Sequence, residues 1–102
     1  MLKQILDALR VRVLGVQTGK VSGASVSASS YADFEVNFDK AYEKAPIVLV
    51  GFQSTSSGSG MGGMSCSTYS TSRTGAKFRV FNADTSGRNP NLIWIAIGEI
   101  AD

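Results

Sequence analysis

The sequence contains no histidine and only one cysteine, Cys66, in 102 residues. Without histidine the commonest general base is absent, and Ser-His-Asp and Cys-His catalytic arrangements are excluded. A single cysteine cannot form an intrachain disulfide, and no neighbouring cation in the sequence would activate its thiol. We therefore expect no enzyme, no cofactor and no metal site. The acids Asp33, Glu35 and Asp39 alternate with other residues, as on the solvated face of a strand.

Long apolar runs and clusters of like charge are also missing. No run approaches the ~20 residues of a membrane span, so membrane insertion is not expected. The net charge is +2, and the ten lysines and arginines are scattered along the chain, which argues against nucleic acid as a partner. Asp7, Arg10 and Arg12 interrupt the apolar residues of the N-terminal segment. The expectation is therefore no signal peptide and synthesis in a cytoplasm.

A glycine-rich segment at residues 58–63 has the spacing GxGxxG of a dinucleotide-binding loop. That function needs a helix immediately after the glycines, so that the helix N-terminus meets the pyrophosphate. The following residues, Met-Ser-Cys-Ser-Thr-Tyr, have no helical periodicity. The segment is therefore interpreted as a loop between two strands, and the prediction of no cofactor stands.

Two apolar runs dominate what the sequence does contain, at residues 46–52 and 92–98. Neither alternates apolar with polar residues, as a strand with one solvated face would. Both are short and rich in β-branched residues, which predicts strands buried on both faces. A chain of this length has one core and can cover one face; a second copy is the simplest cover for the other. In the strand at residues 92–98, alternate side chains point to opposite faces. The sequence leaves open which set faces the core: Ile93, Ile95 and Ile97, or Leu92, Trp94 and Ala96.

The remaining segments predict an all-β fold. Strands are expected at about 16–26, 34–38, 46–52, 64–72, 77–82 and 92–98, separated by turn-forming residues. No helices alternate with them, so the predicted architecture is a six-stranded antiparallel β-sandwich over residues 15–102.

An amphipathic helix is predicted for residues 1–14. Leu2, Ile5 and Leu9 follow helical spacing and form one apolar stripe. A helix of this length is only marginally stable alone in water, so its apolar stripe must pack against another surface. Two alternatives remain: packing against its own domain, or meeting its copies at a symmetry axis like a short coiled coil. The predicted oligomer interface comprises the helix stripe and one set from the last strand: Leu2, Ile5, Leu9, Ile93, Ile95 and Ile97.

The order of several segments resembles the H-type lectin domain over about residues 16–98. The resemblance is carried by VQTGKV at 16–21, PIVLV at 46–50, TGAKF at 74–78 and IWIAIG at 93–98. It implies a six-stranded antiparallel sandwich that assembles as a trimer and binds N-acetylgalactosamine-type sugars between protomers. The family's sugar ligands are an Asp, an Arg and a Trp-His pair; the positions here are about Ser25, Gly63 and Ala83–Asp84. None matches, so the fold carries over and the sugar site does not.

Similar domains occur in bacteriophage tail fibres and related virion appendages, where a helical stub precedes a trimeric head. The resemblance therefore implies a non-enzymatic homotrimeric virion component, at a tail or fibre head, located in the virion after synthesis in the host cytoplasm. Other virion proteins and a host cell-surface glycan are the expected partners. Two alternatives stay open, a free glycan-binding lectin and a decoration trimer with a purely structural role.

Candidate ligand-binding residues come from the polar loop near residues 82–91 and from the aromatic side chains. Asp84, Arg88 and Asn89 could hold sugar hydroxyls by hydrogen bonds that are strengthened by charge. Tyr31, Tyr42 and Tyr69 are the aromatic residues expected to be exposed. Tyr69 is the one predicted to add a flat apolar surface to this site, whereas Trp94 is expected in the core or an interface.

Overall fold

The computed structural model describes residues 1–4, 14–53 and 63–101. Two antiparallel three-stranded sheets, ordered β1-β6-β3 and β2-β5-β4, are formed in this part of the chain. The strands are β1 (Leu14–Val21), β2 (Ser30–Asn37), β3 (Ile47–Gln53), β4 (Met64–Thr71), β5 (Gly75–Asn82) and β6 (Asn91–Glu99). The predicted all-β six-stranded sandwich is confirmed.

The N-terminal segment is only partly described. Residues 2–4 are helical, and the Leu2 side chain is exposed. Ile5 and Leu9, which complete the predicted apolar stripe, lie outside the described residues, as does most of the glycine-rich segment. β1 begins at Leu14, one residue before the expected start of the β domain. No helix in the described ranges is long and apolar enough to cross a membrane.

The core lies between the two sheets and is supplied by alternate residues of facing strands. In β2, Phe34 and Val36 point inward and Asp33 and Glu35 point to solvent, as their alternation predicts. The centre of the core is aromatic, because the Trp94 ring packs 5.6 Å from Phe38, centroid to centroid. The fully or nearly fully buried apolar residues are Ala24, Val26, Phe38, Tyr42, Val48, Ala76, Phe78, Val80, Leu92, Trp94 and Ala96.

The strand predicted over residues 16–26 is wrong in its second half. β1 ends at Val21, and the chain turns through Gly23 at a φ of 64°, a conformation that glycine adopts without strain. After the turn, Val26 is buried and pairs with Arg88 in an isolated bridge. By leaving the sheet, the chain places Ala24 and Val26 in the core.

Tyr42 was expected to be exposed, and that prediction is wrong. The side chain is completely buried. Its hydroxyl lies 3.1 Å from the carbonyl oxygen of Ala96 and 3.2 Å from that of Gly15, and its single hydrogen is donated to one of these acceptors or shared between them. A buried phenol needs such a partner, and here the bond ties the β2–β3 connection to β1 and β6.

Candidate functional site

One candidate surface is the outer side of the β1-β6-β3 sheet, which is apolar. The register aligns Val16, Ile97 and Ile47 in one row across the three strands, and Thr18, Ile95 and Leu49 in the next. We call this surface the apolar face. The exposed fractions of its outermost side chains are unusually high for such residues: Leu14 59%, Val16 58%, Ile47 68%, Leu49 60% and Ile93 40%.

The orientation of the last strand, left open by its sequence, is now visible. Leu92, Trp94 and Ala96 are buried between the sheets. Ile93, Ile95 and Ile97 therefore belong to the apolar face, where Ile95 and Ile97 are half-buried by their neighbours within the sheet. Contiguous exposed apolar surface of this kind marks an interaction site. That copies of the chain cover it stays a prediction, as does the interface role of these three isoleucines.

A shallow hollow of about 570 Å³ interrupts the apolar face. It lies around Gly51, whose outward side has no heavy atom within 4 Å of where a Cβ would be. Leu49, Ile93 and Ile95 form apolar walls, and Lys20 reaches its margin. The hollow has the size and chemistry to receive an apolar side chain from another molecule.

The polar loop between β5 and β6 holds three of the predicted ligand residues. The Arg88 Nε donates to Asp84 Oδ2 at 3.1 Å, and the Asp84 carbonyl accepts from the backbone N–H of Ser29 at 3.0 Å. The other carboxylate oxygen of Asp84 lies 2.6 Å from where a Gly63 Cβ would be, so it packs against that backbone. Asp84 and Arg88 are thus engaged in holding loops together, while Asn89 is exposed.

A buried amide supports the same loop. Asn82 is 1% exposed, and its Nδ2 lies within hydrogen-bond distance of the carbonyl oxygens of Ser86 at 2.9 Å, Val26 at 3.1 Å and Ser27 at 3.3 Å. Its Oδ1 accepts from the backbone N–H of Asp84 at 2.9 Å. Burial of an amide is tolerated only with such partners. The arrangement joins two loops into one rigid end of the sandwich.

Tyr69, the fourth predicted ligand residue, lies elsewhere. It stands on the outer side of the β2-β5-β4 sheet, in a cluster that we call the tyrosine–arginine platform: Tyr31, Asp33, Tyr69, Arg79 and Phe81. The Arg79 guanidinium lies 4.4 Å from the centroid of the Tyr31 ring and 4.3 Å from that of Tyr69. The Tyr31 and Phe81 centroids are 5.7 Å apart. Tyr69 stands beside the middle of β5 and Asp84 lies beyond its end, so the four predicted residues do not form one site.

Asp33 fixes the centre of this platform. Its two carboxylate oxygens accept from Arg79 Nε at 2.8 Å and Arg79 Nη2 at 2.9 Å, a bidentate pair. This hydrogen bonding lowers the pKa of Asp33 from its ordinary value and raises that of Arg79. Both groups therefore stay charged across the physiological pH range, and the guanidinium is held in one orientation between the two rings.

A polar hollow of about 160 Å³ lies on the same face of the sheet. Two of its lining residues, Ser70 and Thr71, directly follow Tyr69 in the chain. Glu35 and Lys77 line it from β2 and β5, and their charged groups are 3.9 Å apart. The platform and the polar hollow together form a continuous surface of aromatic rings, hydroxyls and paired charges.

The sequence signal for this platform is the alternation of side chains along β2 and β5. Tyr31 and Asp33 share the outward parity of β2, and Arg79 and Phe81 share that of β5. Only the register, which pairs Asp33 with Arg79 and Tyr31 with Phe81, brings them together. Registers between strands almost fifty residues apart are not readable from one sequence.

The Cys66 thiol and the acidic side chains are the other groups that sequence analysis considered for chemistry. Cys66 is half-buried and unpaired, and burial raises the pKa of its thiol, which disfavours the reactive thiolate. No group of three or more Cys, Asp or Glu side chains that could hold a metal ion occurs among residues 1–4, 14–53 and 63–101.

Comparison with known proteins gives one family and several similar structures. Residues 16–99 match the family described as "Putative tail fiber protein gp53-like, C-terminal". No curated protein sequence matches the chain. The N-truncated R1-type pyocin tail fibre is similar in structure, with a TM-score of 0.69 and 20% identity, over 83% of this chain and 70% of that one.

Two further structures extend the comparison. The tailspike protein gp49 of Pseudomonas phage LKA1 has a TM-score of 0.65 and 28% identity, and the match covers 84% of this chain and 15% of the tailspike. Discoidin II of Dictyostelium discoideum has a TM-score of 0.66 and 17% identity, over 91% of this chain and 40% of discoidin II. The same sandwich thus forms a domain of fibres, of a tailspike and of discoidin II.

Proposed function

Because the chain belongs to the gp53-like tail fibre C-terminal family, we propose that it forms a homotrimeric head of a bacteriophage tail fibre that contacts the host surface. The observation that carries the proposal is the apolar face. In a single protomer it leaves Ile47 and Leu49 more than half exposed. The area cost of such exposure, about 25 cal/mol for each Å² of apolar surface, is removed when copies cover it.

The position of the apolar face indicates how the copies would be arranged. It occupies the outer side of one sheet only, so copies that place this side on a common axis leave the other sheet outward. Three-fold assembly is supported by the resemblance to trimeric lectin domains. Gly51 supports close approach, because its missing side chain leaves the hollow into which a neighbouring copy's side chain can fit. The same family membership supports a location in the virion and contacts with other virion proteins.

The test is the molar mass of the purified full chain by light scattering at micromolar concentration. We expect three times the protomer mass for the natural sequence and one protomer mass for Leu49→Asp, because an unpaired charge buried in an interface costs several kcal/mol. Thr85→Asp is the matched control, since it also replaces a neutral residue by one negative charge, at an exposed position of the β5–β6 connection. A natural sequence that is monomeric would contradict the proposal.

The circular dichroism spectrum separates dissociation from unfolding. Leu49 points away from the core, so Leu49→Asp should keep the β spectrum while it loses assembly. Ile95→Asp, at a half-buried position of the central strand, should dissociate the trimer or unfold the protomer. If the Leu49 variant remains trimeric, the apolar face is not the interface.

A further inference from the structure

The outer side of the β2-β5-β4 sheet carries more aromatic surface than a solvated sheet needs. Tyr31 is 54% exposed, Tyr69 50% and Phe81 46%. All three belong to one face, and the proposed trimer would leave this face outward. Exposed aromatic side chains grouped in this way are typical of binding surfaces, because they offer large rigid contact areas with few rotatable bonds.

The platform is already organised before any ligand binds. Arg79 lies between two tyrosine rings and is fixed by two hydrogen bonds to Asp33. The rings therefore have little freedom to lose on binding, which lowers the entropic cost of association. Each tyrosine ring has one side against the guanidinium, and about half of its surface stays open to solvent.

The polar hollow beside the platform supplies hydrogen-bonding groups of both kinds. Ser70 and Thr71 carry hydroxyls that both donate and accept, Glu35 accepts and Lys77 donates. A ligand that suits the whole surface must combine flat apolar patches with many hydroxyls. Sugar rings have this combination, since their C–H groups lie on the ring faces and their hydroxyls at the ring edges.

The charges on this face decide between classes of sugar. Arg79 is paired with Asp33 in bidentate geometry, and Lys77 lies 3.9 Å from Glu35. Among residues 1–4, 14–53 and 63–101, each cation on this face therefore has a carboxylate beside it, and these residues offer no uncompensated positive charge to a uronic or sialic acid. A neutral glycan loses less on binding here than an anionic one, which would meet Asp33 and Glu35.

We propose that the outer side of β2-β5-β4 binds neutral oligosaccharides, with pyranose rings lying against Tyr31 and Tyr69 and hydroxyls of an adjoining sugar bonded in the polar hollow. This proposal rests on the proposed function, because it assigns the host-surface contact to one face. It places the ligand away from the loop that contains Asp84 and away from the cleft between protomers.

The experiment is a glycan array that presents neutral oligosaccharides of glucose, galactose, mannose and N-acetylhexosamines beside uronic and sialic acid glycans. It is probed with the labelled full chain. We expect signal on neutral glycans, reduced at least tenfold by Tyr31→Ala and by Tyr69→Ala. Tyr69→Phe keeps the ring and should keep most of the signal, and Lys44→Ala is the control on a distant connection. Circular dichroism of each variant checks that it is folded.

The other outcomes overturn the proposal in distinguishable ways. If Asp84→Ala removes the signal and the tyrosine variants keep it, the ligand lies in the loop; the proposed host contact then stands and this assignment fails. Signal confined to anionic glycans would overturn the charge argument. A trimer by light scattering that binds no glycan on the array would reject the proposal and leave the structural role of the fibre head. A monomer by light scattering would contradict the proposed function itself, whatever the array shows.

Discussion

Gly19 shows how one absent side chain sets the packing of the core. It lies opposite Trp94 in the β1–β6 register, and a Cβ built on it would lie 2.5 Å from the indole ring. The indole also packs against Phe38, which in turn meets Tyr42 edge-on with centroids 5.2 Å apart, so a shift of the indole would disturb the aromatic core. The largest side chain of the core is therefore accommodated by the smallest residue of the neighbouring strand.

Gly19→Ala should therefore destabilise the protein despite the small size of the change. Forcing a methyl group into a packed core costs about 1–3 kcal/mol, and the conformational gain from replacing glycine recovers only part of that. Gly87→Ala is the matched control, because the nearest atom to its added Cβ is 3.6 Å away. Urea unfolding should show a lower midpoint for the first variant only. Equal midpoints would mean that Trp94 has room to shift.

Individual side chains were predictable wherever strand alternation decides their direction. Phe34 and Val36 face the core, and Asp33 and Glu35 face solvent, as expected from β2 alone. Tyr42 was mispredicted because it lies outside the strands, in a connection where no alternation applies. Its burial depends on the carbonyl of Ala96, more than fifty residues away. Contacts of that kind are fixed by the assembled fold and not by local sequence.

At the scale of strands, all six elements were predictable and their ends were less so. The apolar runs identified β3 and β6 because they are too short for a typical helix and rich in β-branched residues. The same runs could not say which set of isoleucines faces outward, since both sides are apolar. The structure decides it through packing: Trp94 fits inward beside Gly19, and the outward isoleucines follow by parity.

The N-terminal segment precedes all six strands of the sandwich. Among residues 1–4, 14–53 and 63–101, the buried core residues lie between Ala24 and Ala96. Deleting residues 1–13 should therefore leave the β circular dichroism spectrum unchanged, and it should weaken the trimer, because the helix stripe is predicted to meet its copies or a neighbouring virion protein. Light scattering over a dilution series measures the second effect.

A variant of the full chain serves as the control for this deletion. Changing Leu2, Ile5 and Leu9 to serine removes the apolar stripe and keeps the chain length, so it should reproduce the weaker assembly. If the deletion abolishes the β spectrum, the helix belongs to the core of its own domain. If neither change affects the mass during dilution, the apolar face alone holds the copies together.

At the scale of the whole molecule, the two sheets present opposite chemistry to their surroundings. One outer side carries exposed aliphatic side chains, and the other carries tyrosines, hydroxyls and paired charges. The family and the fold that the resemblance implied are confirmed by the match over residues 16–99 and by the fibre and discoidin II structures. The sugar ligands of the lectin family could not be carried over, since Gly63 and Asp84 occupy positions where that family has other residues, and here they pack together.

If the apolar face assembles the copies and the platform binds glycans, as proposed, retention on a glycan-coated surface depends on oligomeric state. Three equal platforms on the proposed trimer would convert the second and third contacts into intramolecular events, which would raise avidity about 10²–10⁴-fold over one site. Leu49→Asp lies on the apolar face and leaves the platform intact. It should therefore keep the single-site affinity for a soluble neutral oligosaccharide and dissociate at least a hundredfold faster from a surface densely coated with the same sugar. Surface plasmon resonance on dense and sparse coatings measures both quantities.

The natural trimer on the sparse coating is the control, because widely spaced ligands permit only one contact at a time. If the monomeric variant and the trimer leave the dense surface at equal rates, the three sites do not act together, and the platforms do not face a common target surface.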